Sequence, residues 1–152
     1  MRNLMILMVL VSTMAFTACG QKSNVPAKVK TAFAEKFPNA TKISWDKENS
    51  AEWEAEFKMK GKEYSANFNN NGNWKETEYE IKKSDIPSAV KSTLDTDFNS
   101  YKIKEAEISE TSKGKVFEFA MEKEETDMEV AISPDGKVVK KEINKENDED
   151  ND

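Results

Sequence analysis

Polar and apolar residues alternate along most of this chain, and twice the alternation gives way to a helical stripe. Val25, Val29, Ala32, Phe33 and Phe37 recur at helical spacing and predict a helix over 24–37. Asn24 is the expected cap, Pro26 sits in the first turn where its missing N–H costs nothing, and Pro38 ends the helix. Ile86, Ala89, Val90, Leu94 and Phe98 predict a second helix over 85–99. Helices this short are not stable alone, so each stripe needs a surface to lie on.

Strands supply that surface. Trp53, Ala55, Phe57 and Met59 alternate with Glu52, Glu54, Glu56, Lys58 and Lys60, and Tyr64, Ala66 and Phe68 continue the apolar side after Gly61-Lys62. Further strands are expected at 41–47 and 74–81, then at 103–109, 116–122, 128–132 and 137–143. Asn71-Gly72, Lys113-Gly114 and Pro134-Asp135-Gly136 mark turns. Clean alternation of this kind belongs to antiparallel strands with one covered face and one wet face.

The two stretches are copies. Pro26 and Pro87, Val29 and Val90, Phe33 and Leu94, and Phe37 and Phe98 share an offset of 61. From Trp53 and Phe117 through Phe68 and Ile132 to Gly72 and Gly136 the offset is 64. A duplicated α-β-β-β-β unit, over 24–83 and 84–143, accounts for both and makes the fold class α+β.

The N-terminus reads as an address. Arg2 precedes the apolar run from Leu4 to Phe16, which has the length of a signal core and is too short to span a bilayer comfortably. Phe16-Thr17-Ala18-Cys19-Gly20 closes it, and this resembles the lipobox of bacterial lipoproteins, whose cysteine is acylated. A plain signal peptide with an incidental cysteine, or an uncleaved anchor, fits less well because the lone cysteine stands beside the cleavage site. The expectation is a signal peptide at 1–18, lipidation at Cys19, a tether at 19–23 and residence in the bacterial cell envelope, on the periplasmic or outer-membrane side. Without residues 1–18, 22 basic groups face 29 acidic ones, a net charge of −7 that argues against nucleic acid as a partner. Residues 144–152 hold Glu146, Asp148, Glu149, Asp150 and Asp152 with no apolar residue, the pattern of an acidic disordered tail.

With the repeat established, the chain resembles the bacterial PepSY-like family, also described as β-lactamase-inhibitor-protein-like. The resemblance rests on Val25-Pro26, Val29, Phe33, Phe37-Pro38 and Ile43-x-Trp45, then Phe57, Gly61, Tyr64-x-Ala66-x-Phe68 and Gly72-x-Trp74-x-Glu76-Thr77-Glu78. It spans about residues 24–143. It implies two tandem units sharing one antiparallel sheet of about eight strands, helices on one face, and an envelope protein without catalysis. In β-lactamase inhibitor proteins the open face grips an enzyme, but none of their contact residues is matched here.

The candidate chemistry agrees with a binding role. With no histidine and one cysteine, the chain lacks the usual nucleophilic machinery and the commonest zinc ligands, so no enzyme, cofactor or metal is expected. Asn67-x-Asn69-x-Asn71-Gly72 faintly echoes a calcium loop but lacks carboxylates and reads as a hairpin turn. If Trp53, Phe57, Tyr64, Phe68, Phe117, Phe119, Met128, Val130 and Ile132 lie under the helices, the opposite face shows Glu54, Glu56, Lys58, Ser65, Asn67, Glu118, Glu122 and Glu129. Glu54 and Glu56 point the same way, which suits acid–base work only in a dry pocket; a solvated face is the plainer expectation. In the strand over 74–81, Trp74 has one parity and Tyr79 and Ile81 the other. Without a bulge one set faces solvent, which makes Trp74 and Tyr79 the preferred docking anchors. The expected partners are the membrane, through the lipid, and an unidentified envelope protein or peptide, with inhibition of a secreted hydrolase as one form of this. The alternative is a structural or stress-related lipoprotein that holds a small ligand between sheet and helices.

Overall fold

The computed structural model describes residues 24–145. The expected signal segment, Cys19, the tether and residues 146–152 of the acidic tail lie outside the described residues. The elements run α1 (Ala27–Lys36), β1 (Thr41–Asp46), β2 (Glu52–Met59), β3 (Lys62–Asn69) and β4 (Trp74–Glu80). A 3-10 turn at Lys83–Asp85 then leads to α2 (Ser88–Asp97), β5 (Lys102–Thr111), β6 (Gly114–Lys123), β7 (Thr126–Ile132) and β8 (Val138–Lys145). The strands form one eight-stranded sheet in chain order, with each neighbour antiparallel to the last.

Both helices begin later than their apolar stripes. Pro26 and Pro87 hold ψ at 141° and 151°, outside the helical range, and so become the capping positions themselves. The Pro26 carbonyl accepts the Val29 N–H at 3.0 Å and the Lys30 N–H at 3.2 Å; the Pro87 carbonyl accepts the Lys91 N–H at 2.9 Å. Asn24 caps nothing in α1, because the helix starts two residues beyond its reach. The 3-10 turn takes up 83–85 and moves the start of α2 from Asp85 to Ser88.

Each helix buries its stripe against its own four strands. Val29 and Phe33 of α1 pack with Trp53, Ala55, Phe57, Ala66 and Phe68. Val90 and Leu94 of α2 pack with Ile108, Phe117, Phe119, Met121, Met128, Val130 and Ile132. The first cluster is aromatic: the Phe33 ring lies 5.0 Å from Phe57 and 5.2 Å from Trp45, both edge-on, the geometry that ring quadrupoles favour. Tyr79 pairs with Ile108, Ile108 with Phe117 and Phe117 with Ile132, so the two apolar faces are one side of the sheet.

Two glycines lock the halves in the same way. Gly72 and Gly136 follow β3 and β7 with φ of 85° and 88°, and each tucks beneath a helix. A Cβ on Gly72 would stand 2.7 Å from the Lys28 carbonyl oxygen; on Gly136 it would stand 2.8 Å from that of Ala89. The turn before Gly72 is closed by Asn69, whose Oδ1 accepts the Asn71 and Asn73 N–H groups at 3.0 Å, as a hairpin turn requires.

Candidate functional site

The face of the sheet away from the helices is built by the polar half of the alternation. Ser44 pairs with Glu56, Glu56 with Ser65, Ser65 with Glu78, and Glu78 with Ser109. A parallel row runs from Glu54 through Asn67 to Glu76. Glu107 of β5 stands directly between Glu80 of β4 and Glu118 of β6, and Glu129 of β7 stands opposite Glu142 of β8. Like charges directly opposed across strands destabilise a sheet, so this arrangement costs free energy that packing elsewhere offsets.

The face is drier than its composition suggests. Glu118 is 6% exposed, Glu129 8% and Ser109 1%, whereas a solvated face was the sequence expectation. Burial, reinforced by the charges of Glu76, Glu118, Glu107 and Glu54, pushes the Glu78 carboxyl up to about 8. Burial is also the first cause for Glu118, raised to about 7 with Glu76 and Glu107 beside it and Lys140 opposing. Glu54 reaches about 7 through burial and then Glu48, Glu56 and Asp46, while its hydrogen bond with Ser65 pulls the other way. Glu76, Glu107 and Glu129 are raised as well, with burial first. The Ser109 hydroxyl donates to Glu76 Oε1. Among the described residues, two buried side-chain atoms have no hydrogen-bond partner, Glu118 Oε1 and Asn67 Oδ1. Both are acceptors, and both belong to this face. Among the described residues no group of three or more acidic, histidine or cysteine side chains is shaped to hold a metal ion.

The structure separates the residues singled out from sequence. Glu54 and Glu118 are half-buried and buried on the open face, while Glu56 is exposed there. Trp74 and Tyr79 are not on that face. Phe68 pairs with Trp74 and Asn67 with Glu76, which leaves Lys75 as an extra residue and puts Trp74 and Tyr79 at one parity, under the helices. The Trp74 indole N–H donates to Thr77 Oγ1 at 2.9 Å, and Lys36 Nζ lies 3.5 Å above its ring, tying α1 to β4. The Tyr79 ring sits 4.9 Å from Tyr64, where the two cores meet. The docking reading of this pair rested on a straight strand, and the bulge at Lys75 removes its premise. Conversely, Glu76, Glu78 and Glu107 were missed as site residues. Their signal was present in the Glu-x-Glu pairs of β4 and β5, but the parity of β4 could not be assigned without the bulge.

This chain belongs to the family described as "Putative beta-lactamase-inhibitor-like, PepSY-like", whose profile matches residues 51–140, from the threshold of β2 into β8. Among solved structures, it is similar to a BLIP-like protein from Bacteroides fragilis, at 22% identity over 82% of this chain and 90% of that one, with a TM-score of 0.72. A protein from Bacteroides eggerthii described as one of the "putative periplasmic proteins" matches at 18% identity over 78% of this chain and 88% of that one, with a TM-score of 0.71. A DUF2874 family protein from Bacteroides uniformis matches at 16% identity over 78% and 88%, with a TM-score of 0.72. At these identities the likeness establishes the fold alone. No curated protein matches the chain. Among the described residues no helix is long and apolar enough to cross a membrane.

Proposed function

We propose that this chain is a non-catalytic binding module of the bacterial envelope, held at the membrane by a lipid on Cys19, whose open sheet face takes a protein or peptide. The observation that carries the reading is an eight-stranded sheet with helices on one side only, whose other side holds buried acceptors without partners. Membership of an inhibitor-like family and a neighbour described as periplasmic support the role and the compartment. Inhibition of a secreted hydrolase is one form this binding takes. The space between sheet and helices is filled by Phe68, Phe117, Val29, Val90 and Val130, which favours the open face over a small ligand held in that layer.

The test is site-directed photo-crosslinking in the native cell. A crosslinker at Ala120, on the open face of β6, is expected to capture a protein that one at Lys91, on the exposed side of α2, does not. Equal capture at both positions, or none at Ala120, rejects the face. In the same cells the protein is expected in washed membranes and Cys19→Ser in the soluble envelope fraction; an unchanged distribution rejects the lipid anchor.

A further inference from the structure

The open face is defined by what its carboxyls lack. Glu118 is buried yet leaves Oε1 without a donor, and an unsatisfied buried acceptor of this kind is costly to a fold. The groups facing Glu118 are Glu76 and Glu78 from β4, Glu107 from β5, Glu129 from β7 and Lys140 from β8. One cation among five carboxyls leaves the patch acidic, and Lys140 Nζ is already 3.0 Å from Glu142 Oε2. The second orphan, Asn67 Oδ1, lies on β3, three strands away and so at about 14 Å in the hydrogen-bonding direction. Between the two stand Glu76 and Glu78. The surface therefore presents acceptors at both ends and acids throughout, and its counterpart is an extended group with donors along its length.

We propose that the open face, from Asn67 through Glu78 and Glu107 to Glu118, seats the arginine or lysine side chains of an extended basic segment in a partner protein. This rests on the open face being the binding surface and specifies what it binds. Glu118 Oε1 accepts one charged N–H and Asn67 Oδ1 another, with Glu76, Glu78 and Glu107 supplying the charge between them. Charge-assisted hydrogen bonds of this type are stronger than neutral ones, and the planar, multi-donor guanidinium suits paired carboxylates. Because burial raises Glu78 to about 8 and Glu118 to about 7, a bound cation displaces protons from them, and binding tightens as pH rises.

Calorimetric titration of the detergent-purified full chain with acetyl-hexa-arginine amide tests this. Binding is expected to tighten from pH 5.5 to pH 8 with proton release. It is expected to weaken about tenfold in Glu118→Gln, which removes the charge and keeps the shape. Glu63→Gln, an exposed acid paired with Lys58 at the opposite end of β3 from Asn67, is expected to match the wild type. Glu118→Gln is also expected to melt no lower than the wild type, so that lost binding is not lost folding. Equal binding of the citrulline peptide, or of Glu118→Gln, or a pH-independent affinity, overturns the proposal; spermine binding as tightly as the peptide overturns its assignment to a protein segment. If the Ala120 crosslinker captures a partner while the arginine peptide does not bind, the basic segment is wrong and the open-face reading stands. If neither occurs, both fall.

Discussion

A carboxyl that is raised in the folded state makes folding depend on pH in the direction opposite to a salt-bridged acid. Glu78 is pushed up to about 8 from an ordinary 4.5, and Glu54 and Glu118 to about 7. Between those limits the native chain holds protons that the unfolded chain has released. The stability these raised carboxyls contribute is therefore fully present below about pH 4.5 and is lost as pH rises through 7 and 8. Glu63, Glu122 and Asp135 are lowered by exposed partners and act only below the window. Melting followed by circular dichroism is expected to show a Tm several degrees lower at pH 8.5 than at pH 5. Glu78→Gln should flatten that slope and exceed the wild type at pH 8.5, at about 2–8 °C per kcal/mol. A Tm that climbs over this range contradicts the buried glutamates. None of this was readable from alternation. The sequence placed Glu54, Glu118 and Glu129 on the polar side, but desolvation arises from neighbours on three or four strands, which no local pattern records.

At the scale of elements, the two helices and the strand faces followed from spacing, because a stripe of Val29, Phe33 and Phe37 has one way to leave water. What spacing could not supply was the extra residue in β4. The chain leaves β3, turns through Asn69 to Asn73, and brings Gly72 against the backbone of α1. Lys75 is left over where β4 regains register. The second half repeats the device: Ile132 pairs with Val138 and Ala131 with Lys140, leaving Val139 over and 52% exposed. The bulge is thus linked to the glycine that approaches the helix, a tertiary constraint. Gly72→Ala must both adopt positive φ and push Lys28 away, so it is expected to cost about 2 kcal/mol or more. Gly136→Ala is expected to cost a similar amount against Ala89, where Thr93 Oγ1 also donates to the Gly136 carbonyl at 2.6 Å. Being far apart, the two losses should add. Chemical denaturation of the single and double variants measures this, and an alanine at either site that leaves stability unchanged removes the close approach from the account.

For the whole molecule, duplication raises the question of whether two halves or one body unfolds. Each half has its own core, aromatic around Phe33 in one and mostly aliphatic around Leu94 in the other. They are joined by the β4–β5 ladder from Glu76–Thr111 to Glu80–Glu107 and by Tyr79, which packs against the second core while its ring lies on Tyr64 of the first. Tyr79 OH also reaches Glu110 on β5 at 3.5 Å. The ladder carries the glutamates of the open face, so on its polar side the Ser109–Glu76 hydrogen bond works against repulsion, and the apolar seam at Tyr79 adds attraction from the other side. Tyr79→Ala is therefore expected to lower stability by about 2 kcal/mol and to uncouple the halves. Calorimetry should show one transition in the wild type and a broadened or split one in the variant, with the divergence growing as pH rises and the open-face carboxyls ionise. A single sharp transition at every pH, merely displaced to lower temperature, would mean that the backbone ladder alone couples the halves and that Tyr79 is ordinary packing.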